Sequence, residues 1–236
     1  MRFGLLLSVA LLVTGCIEVP METAAPPKQR AAVAKTKTTA QVSPRSFAAV
    51  VRQVEPVAER ICRNRTPDAN CDFQIVVDTR ADQPPNAYQT VDKAGRPVIA
   101  FNVALIAEAQ NVDELAFVMG HEAAHHISGH LGRTRTSAVT GAALGGILAA
   151  VVGADAGTAD TFQNLGGTLG ARTYSKDYEL EADALGTIIA YRAGYDPEVG
   201  ARFFTRIPDP GNRFLGTHPP NKSRIKTVRQ TMASLR

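Results

Sequence analysis

The chain has 236 residues, 44% of them hydrophobic and 20% charged, and its 26 Lys and Arg against 22 Asp and Glu give a formal net charge of +4 at pH 7. This length is enough for one folded domain of about 190 residues with a sizeable core, plus an additional terminal segment. A net charge this small and this dispersed argues against nucleic acid as a partner.

The first sixteen residues have the pattern of a bacterial lipoprotein signal. Met1-Arg2 is a short positive region, residues 3–13 are an apolar run, and Val13-Thr14-Gly15-Cys16 is typical of a lipobox. The run is too short to span a bilayer. We expect residues 1–15 to be a signal peptide and Cys16 to carry a lipid anchor; the alternative is an uncleaved or non-lipidated signal.

The segment after Cys16 predicts a tether and a location. Residues 16–43 are rich in Pro, Ala, Thr and Lys, with few large apolar side chains, so they cannot bury enough surface to fold. Ile17, rather than Asp, follows Cys16, which in similar lipoproteins favours the outer membrane. We therefore expect a bacterial envelope protein that is anchored by lipid and faces the periplasm.

The folded domain is expected to span residues 44–236. Ser43 and Pro44 are typical of an N-cap followed by a first-turn proline, and we expect Pro56 to kink or end the helix that they begin. Cys62 and Cys71 then precede a predicted strand at residues 73–77. In an oxidising compartment they should form a disulfide; a pair of thiols in a metal site is the alternative, although their spacing is not typical of zinc sites.

A long helix is predicted after a second strand at residues 97–101 and a short helix at residues 102–110. Asn111 is a suitable N-cap for it, and Asp113 and Glu114 in the first turn complement the helix dipole.

This helix carries His121-Glu122-Ala123-Ala124-His125. Four residues are a little over one turn, so both imidazoles point the same way and supply half of a tetrahedral zinc site. Glu122 lies about 100° around the helix, where its carboxylate can reach a metal-bound water. The alternative is a helix with solvated polar residues, which would have no matching third ligand elsewhere in the chain.

Residues 138–152 consist of Ala, Gly, Val, Leu and Ile with one Thr, and are too short and glycine-rich for a membrane span. They predict a hairpin of small-residue helices packed close to the zinc site. An insertion that enters a membrane or grips apolar substrate remains the alternative.

A second helix, closed near Gly194, supplies the third ligand. Glu179 and Asp183 are four residues apart and share one face, whereas Glu181 lies about 200° away from Glu179 and should point elsewhere. We expect Glu179 to bind the metal and Asp183 to accept the second ring N–H of a ligating histidine.

These residues resemble the gluzincin zinc peptidases, which include the CAAX prenyl protease and the membrane protease HtpX. The resemblance rests on residues 121–125, residues 179–183, the Gly194-Tyr195-Asp196-Pro197 turn, Thr217-His218-Pro219 and Arg224-Ile225, and it spans about residues 45 to 230. It implies an α+β, compact zincin-like domain that is mostly helical with a small β-sheet.

The resemblance also implies roles for residues outside the two helices. Its metal ligands would be His121, His125 and Glu179, with one zinc per chain. His218 would lie near the metal, where it either polarises the scissile carbonyl or occupies the open metal position at rest. Arg224 would lie behind the ligands or stabilise the oxyanion, and Asn86-Ala87-Tyr88 would form an edge strand that binds extended substrate.

The predicted function is a zinc metalloendopeptidase of the bacterial envelope that acts on unfolded or misassembled envelope proteins. Glu122 would be the general base and acid. Two alternatives remain at this point: a gated or latent protease that works mainly as a chaperone or assembly factor, and a lipoprotein with a structural zinc. Glu122 counts against the second, because a structural site needs four protein ligands and no base.

Overall fold

The computed structural model describes residues 42–80, 82–173, 175–211 and 218–236. The expected signal peptide, Cys16 and nearly all of the expected tether lie outside these residues. The expected α+β architecture, mostly helical with a small sheet, is confirmed. Its elements are α1 (Pro44–Arg65), β1 (Gln74–Asp78), β2 (Ala87–Val91), β3 (Pro97–Asn102), α2 (Val103–Glu108), α3 (Val112–Ile127), α4 (His130–Val151), α5 (Ala156–Thr173), α6 (Ser175–Arg192), α7 (Pro197–Gly200), a 3₁₀ turn (Ala201–Thr205) and α8 (Asn221–Leu235).

Helix α1 begins as predicted but does not break at Pro56. Ser43 and Ser46 form a capping box with each other's backbone N–H, and Pro44 occupies the first turn. The expectation that Pro56 kinks or ends the helix is wrong in its stronger form, because α1 continues to Arg65. Pro56 faces solvent, while Val54 and Val57 on either side of it are buried in the core, and this burial holds both halves of the helix together.

The sheet places one of its edge strands beside α3, the helix that carries His121 and His125. Its strand order is β1-β3-β2, with β1 parallel and β2 antiparallel to β3. Strand β2 is therefore an edge strand, as the resemblance implied, and it packs against α3. Asn102, at the end of β3, fixes the loop that leads into β2: its side chain accepts from the backbone N–H of Asn86 and donates to the carbonyl of Pro84.

Helices α3 and α6 cross in backbone contact at Gly120 and Gly186. A Cβ at Gly120 would lie 2.7 Å from the carbonyl oxygen of Gly186, and a Cβ at Gly186 would lie 2.7 Å from the amide nitrogen of His121. Only glycine allows this approach. It brings the histidine face of α3 against the acidic face of α6.

Residues 138–152 form one arm of a pair of small-residue helices, rather than the whole hairpin that we predicted. They belong to α4, one helix from His130 to Val151, whose partner is α5. Small residues allow the two backbones to touch along most of their length, with Gly141 against Gly166 as one example. Many apolar side chains of this pair are exposed, among them Val139, Leu144, Ile147, Val151 and Leu165.

Two further features bear on the sequence predictions. Cys62 at the end of α1 and Cys71 before β1 are joined by a disulfide, with 5.7 Å between their Cα atoms. Within the described residues, no helix is both long and apolar enough to cross a membrane.

Candidate metal centre

The two histidines of α3 meet as the helical spacing predicted. Asn111 caps the helix by accepting from the backbone N–H of Glu114, which fixes where the helix begins and therefore which way its faces point. His121 is almost completely buried, and its Nε2 lies 3.0 Å from Nε2 of His125.

Glu179 on α6 completes a group of three. Its Oε1 lies 3.2 Å from Nε2 of His125, and its Oε2 lies 3.6 Å from Nε2 of His121. Within the described residues, these three side chains are the group of His, Cys, Asp or Glu that could hold a metal ion. The structure thus brings together the three residues that the sequence predicted as ligands.

The charges around this group favour a cation. Burial raises the pKa of Glu179, but its contacts with the imidazoles of His125 and His218 and the nearby charges of His121 and Arg224 lower the pKa by more, so the carboxylate stays ionised. Burial lowers the pKa of His125, but the hydrogen bond to Glu179 and the charge of Glu122 raise it overall. Both shifts show that the site stabilises positive charge beside Glu179.

Asp183 contacts Nδ1 of His121, while Nε2 of the same ring faces the group of three. Its Oδ1 lies 3.0 Å from Nδ1 of His121, and its carboxylate is completely buried. Arg224 of α8 donates from Nε and Nη2 to the same carboxylate, at 2.8 and 2.6 Å. Nη2 of Arg224 also lies 3.2 and 3.3 Å from the two ring nitrogens of His121 and 3.4 Å from Oε2 of Glu179, so the guanidinium lies beside the His121 ring, where it keeps Asp183 ionised and in position.

Nδ1 of His125 contacts His130, a residue that was not predicted from the sequence. Nδ1 of His130, the first residue of α4, lies 2.8 Å from Nδ1 of His125, and Nε2 of His130 lies 3.1 Å from Oε2 of Glu181. Glu181 does point away from Glu179, as its helical position predicted, but towards this histidine. Burial, as the largest contribution, lowers the pKa of His130 to about 4, so its ring is neutral at pH 7.

The donor set fits a zinc ion. When Nδ1 of each histidine carries its proton, the two Nε2 lone pairs face each other at 3.0 Å beside a carboxylate, and a metal cation bound by these atoms would stabilise the arrangement. Ligand atoms at about 2.0–2.1 Å from a tetrahedral zinc lie roughly 3.3 Å apart. Here the two Nε2 atoms lie 3.0 Å apart, Nε2 of His125 lies 3.2 Å from Oε1 of Glu179, and Nε2 of His121 lies 3.6 Å from its other oxygen, Oε2.

The group faces a cavity of about 690 Å³ that Glu122 and His218 also line. Asn86 to Gln89 of the β2 edge form one wall of this cavity. Another wall is apolar, built from Leu105, Phe117, Val118, Phe203, Phe204 and Ile207.

His218 contacts a ligand rather than joining the group. Its Nδ1 lies 3.1 Å from Oε2 of Glu179, and its side chain is 55% exposed. This places the imidazole at the mouth of the cavity, as the resemblance implied, and leaves both of its expected roles open.

Comparison with known proteins agrees with this geometry. Residues 44–232 match the profile of Peptidase family M48. The chain belongs to Peptidase family M48. Its domain is accordingly that of a metalloprotease, and the residues that match the family include all of α3 and α6.

The chain is similar over part of its length to several known proteases. The chain is 33% identical over 145 residues to a putative beta-barrel assembly-enhancing protease of Vibrio cholerae, which covers 56% of this chain and 30% of that protein. It is 31% identical over 151 residues to the beta-barrel assembly-enhancing protease of Escherichia coli strain K12, covering 58% and 31%. It is 30% identical over 121 residues to the mitochondrial metalloendopeptidase OMA1 of Arabidopsis thaliana, covering 50% and 24%. The matches thus span less than a third of each relative.

Proposed function

We propose that this M48 protein is a zinc-dependent metalloendopeptidase that holds one zinc ion per chain with His121, His125 and Glu179. The observation that carries the proposal is the group of three donors described above, with two Nε2 atoms 3.0 Å apart beside an ionised carboxylate. Three protein ligands leave a fourth position for water or substrate, which is the arrangement of a catalytic zinc site rather than a structural one.

The residues around the group supply proton transfer and positioning. A bound zinc would lower the pKa of a water molecule and polarise the scissile carbonyl. Glu122 accepts the proton from the attacking water and delivers it to the leaving amine. Asp183, held by Arg224, keeps His121 with its Nε2 directed into the site. His218 at the cavity mouth donates to the developing oxyanion.

The shape of the cavity supports an extended peptide as substrate. Strand β2 is the outer strand of the sheet and lines the cavity, so a substrate strand can pair with its free edge through backbone hydrogen bonds. Such bonds tolerate many sequences. The apolar wall accommodates side chains that folded proteins bury, which supports unfolded or misassembled proteins as the substrate class.

We place this activity in quality control in the bacterial cell envelope. The support is the lipobox at Val13 to Cys16 together with the printed names of the bacterial relatives, which describe proteases that enhance β-barrel assembly. Residues 1–15 would be removed, residues 16–43 would form a lipid-anchored tether, and residues 44–236 would be the peptidase domain in the periplasm at the outer membrane. Radiolabelled palmitate should enter the wild-type precursor; equal labelling of Cys16→Ser would contradict the anchor.

A second candidate function is a gated protease that acts mainly as an assembly factor. The contact between Nδ1 of His218 and Oε2 of Glu179 favours it, because a small shift would bring the imidazole from the cavity mouth onto the open metal position. In that case the resting protein would bind zinc but hydrolyse peptides slowly.

Metal analysis combined with peptide hydrolysis tests the main proposal. The purified protein should contain one zinc per chain and cleave an unstructured, casein-type substrate, and a chelator should abolish cleavage until zinc is restored. Replacing His121, His125 or Glu179 by Ala should remove both zinc and activity. Full cleavage by the metal-free protein would overturn the proposal.

A further inference from the structure

His130 is a buried histidine to which the proposed chemistry assigns no task. It begins α4 directly after Gly129, whose positive φ of 65° reverses the chain between α3 and α4. Only 4% of its surface is exposed. Its two ring nitrogens contact side chains on two different helices, His125 on α3 and Glu181 on α6.

The hydrogen-bond directions along this chain of groups follow from the carboxylate. An ionised carboxylate only accepts, so Nε2 of His130 carries a proton that it donates to Glu181. Two ring nitrogens 2.8 Å apart pair as one donor and one acceptor, so with the His130 proton on Nε2, Nδ1 of His130 accepts and Nδ1 of His125 donates. With its proton on Nδ1, His125 presents a bare Nε2 to His121 and Glu179.

We propose that His130 and Glu181 are positioning residues that hold His125 in its metal-binding tautomer and ring orientation. This inference rests on the zinc peptidase function proposed above. Each ligating histidine then has its own carboxylate on α6: Asp183 contacts His121 directly, and Glu181 acts on His125 through His130. The stretch from Glu179 to Asp183 supplies one ligand and both supports.

Contacts on every side keep His130 in place. Its ring stacks on Tyr178 with 4.6 Å between centroids and 12° between planes. Nη1 of Arg133 donates to Oε2 of Glu181 at 2.8 Å, and the Arg133 guanidinium lies 4.2 Å from the centroid of the Tyr178 ring. The imidazole therefore has little freedom to rotate, and its Nδ1 acceptor stays directed at His125.

The two supports differ in strength. Asp183 is completely buried, whereas the side chains of Glu181 and Arg133 are 45% and 46% exposed, so water screens the second pair. We expect the loss of the His130 acceptor to weaken zinc binding about tenfold or more, within the range of about 10–100-fold usual for groups that orient metal ligands. Removing the charge of Glu181 should have a smaller effect in the same direction.

Two variants of His130 distinguish the positioning role from a purely structural one. His130→Phe keeps a planar ring that can stack on Tyr178 but offers no acceptor to His125. His130→Asn loses the ring, yet its side-chain oxygen can replace the Nδ1 acceptor. A packing role predicts that Asn is the more harmful change, whereas a positioning role predicts that Phe is.

The experiment uses the full chain, stripped of metal, as wild type, His130→Phe, His130→Asn and Glu181→Gln. Zinc dissociation constants come from chelator competition, visible absorption of the Co²⁺-loaded protein reports the ligand geometry, and thermal unfolding of the metal-free protein reports the fold. The control is Glu59→Gln, which removes the carboxylate of another partly exposed ion pair, with Arg63 on α1.

The expected result is that His130→Phe weakens zinc binding and alters the Co²⁺ spectrum, while His130→Asn restores most of the affinity and Glu59→Gln changes nothing. If His130→Phe fails to fold, Glu181→Gln carries the test, because its ring contacts are intact and its affinity should still fall. Wild-type affinity in both His130→Phe and Glu181→Gln, or a larger loss in Asn than in Phe, would overturn the inference alone. A wild-type protein that binds no zinc would instead overturn the proposed function.

Discussion

Gly120 and Gly186 lie in backbone contact where α3 crosses α6, with no room for a Cβ on either residue. His121 follows Gly120 directly, and Asp183 lies one turn before Gly186. The contact between these two glycines therefore sets the distance between the histidines of α3 and Glu179 on α6.

We predict that Gly186→Ala lowers both stability and zinc affinity. Its Cβ would lie 2.7 Å from the amide nitrogen and 2.9 Å from the Cα of His121, so the helices must move apart. Overpacking of this kind costs about 1–3 kcal/mol of unfolding free energy, which urea denaturation would measure.

Gly132→Ala is the control for this prediction. Gly132 is also helical, but a Cβ there meets nothing within 4 Å. It should raise stability by about 0.5–1 kcal/mol and leave zinc binding unchanged. Equal effects of the two substitutions would show that the helix crossing does not set the geometry of the site.

The group of His121, His125 and Glu179 could be predicted from the sequence because helical periodicity is local. His121 and His125 share one helix face, as do Glu179 and Asp183, and the structure brings these two faces together. His130 was missed because it lies beyond the end of α3 at Ile127, so the helical periodicity that places His121 and His125 on one face does not extend to it. Only the turn at Gly129, followed by the packing of α4, brings His130 back towards His125.

Two predictions about the fold failed for a related reason, which is that tertiary packing decided the local structure. Pro56 was expected to break α1, but burial of the residues around it outweighs the loss of one helical hydrogen bond. Residues 138–152 show no clear helical period because α4 packs closely on α5 through small residues rather than through an apolar face. Tertiary contacts of this kind leave little trace in a local pattern.

Zinc should stabilise the protein by an amount that rises with the logarithm of the zinc concentration. An ion that binds only the folded state at about 100 times its dissociation constant adds about 2.7 kcal/mol, which for a domain of this size raises Tm by about 5–10 °C. Calorimetry of the metal-free protein with increasing zinc measures the shift. His121→Ala should show none, and a shift of wild-type size in this variant would place the bound zinc elsewhere.

His218→Ala should lower the hydrolysis of a short unstructured peptide by about tenfold or more, because it removes a donor to the developing oxyanion. Turnover is compared at equal zinc occupancy. His218→Asn, which keeps a side-chain N–H, should retain more activity than His218→Ala. Faster hydrolysis by His218→Ala would favour the gated protease instead, and unchanged turnover would leave His218 as an ordinary turn residue.

Glu122→Gln tests the central claim most directly, because Glu122 lines the same cavity as the metal group without belonging to it. The measurement is zinc content and peptide turnover on the same preparation of wild type and variant. The account predicts one zinc per chain in both proteins and a loss of turnover of at least about a hundredfold in the variant, the scale of a missing general base. Equal turnover at equal zinc content would contradict it.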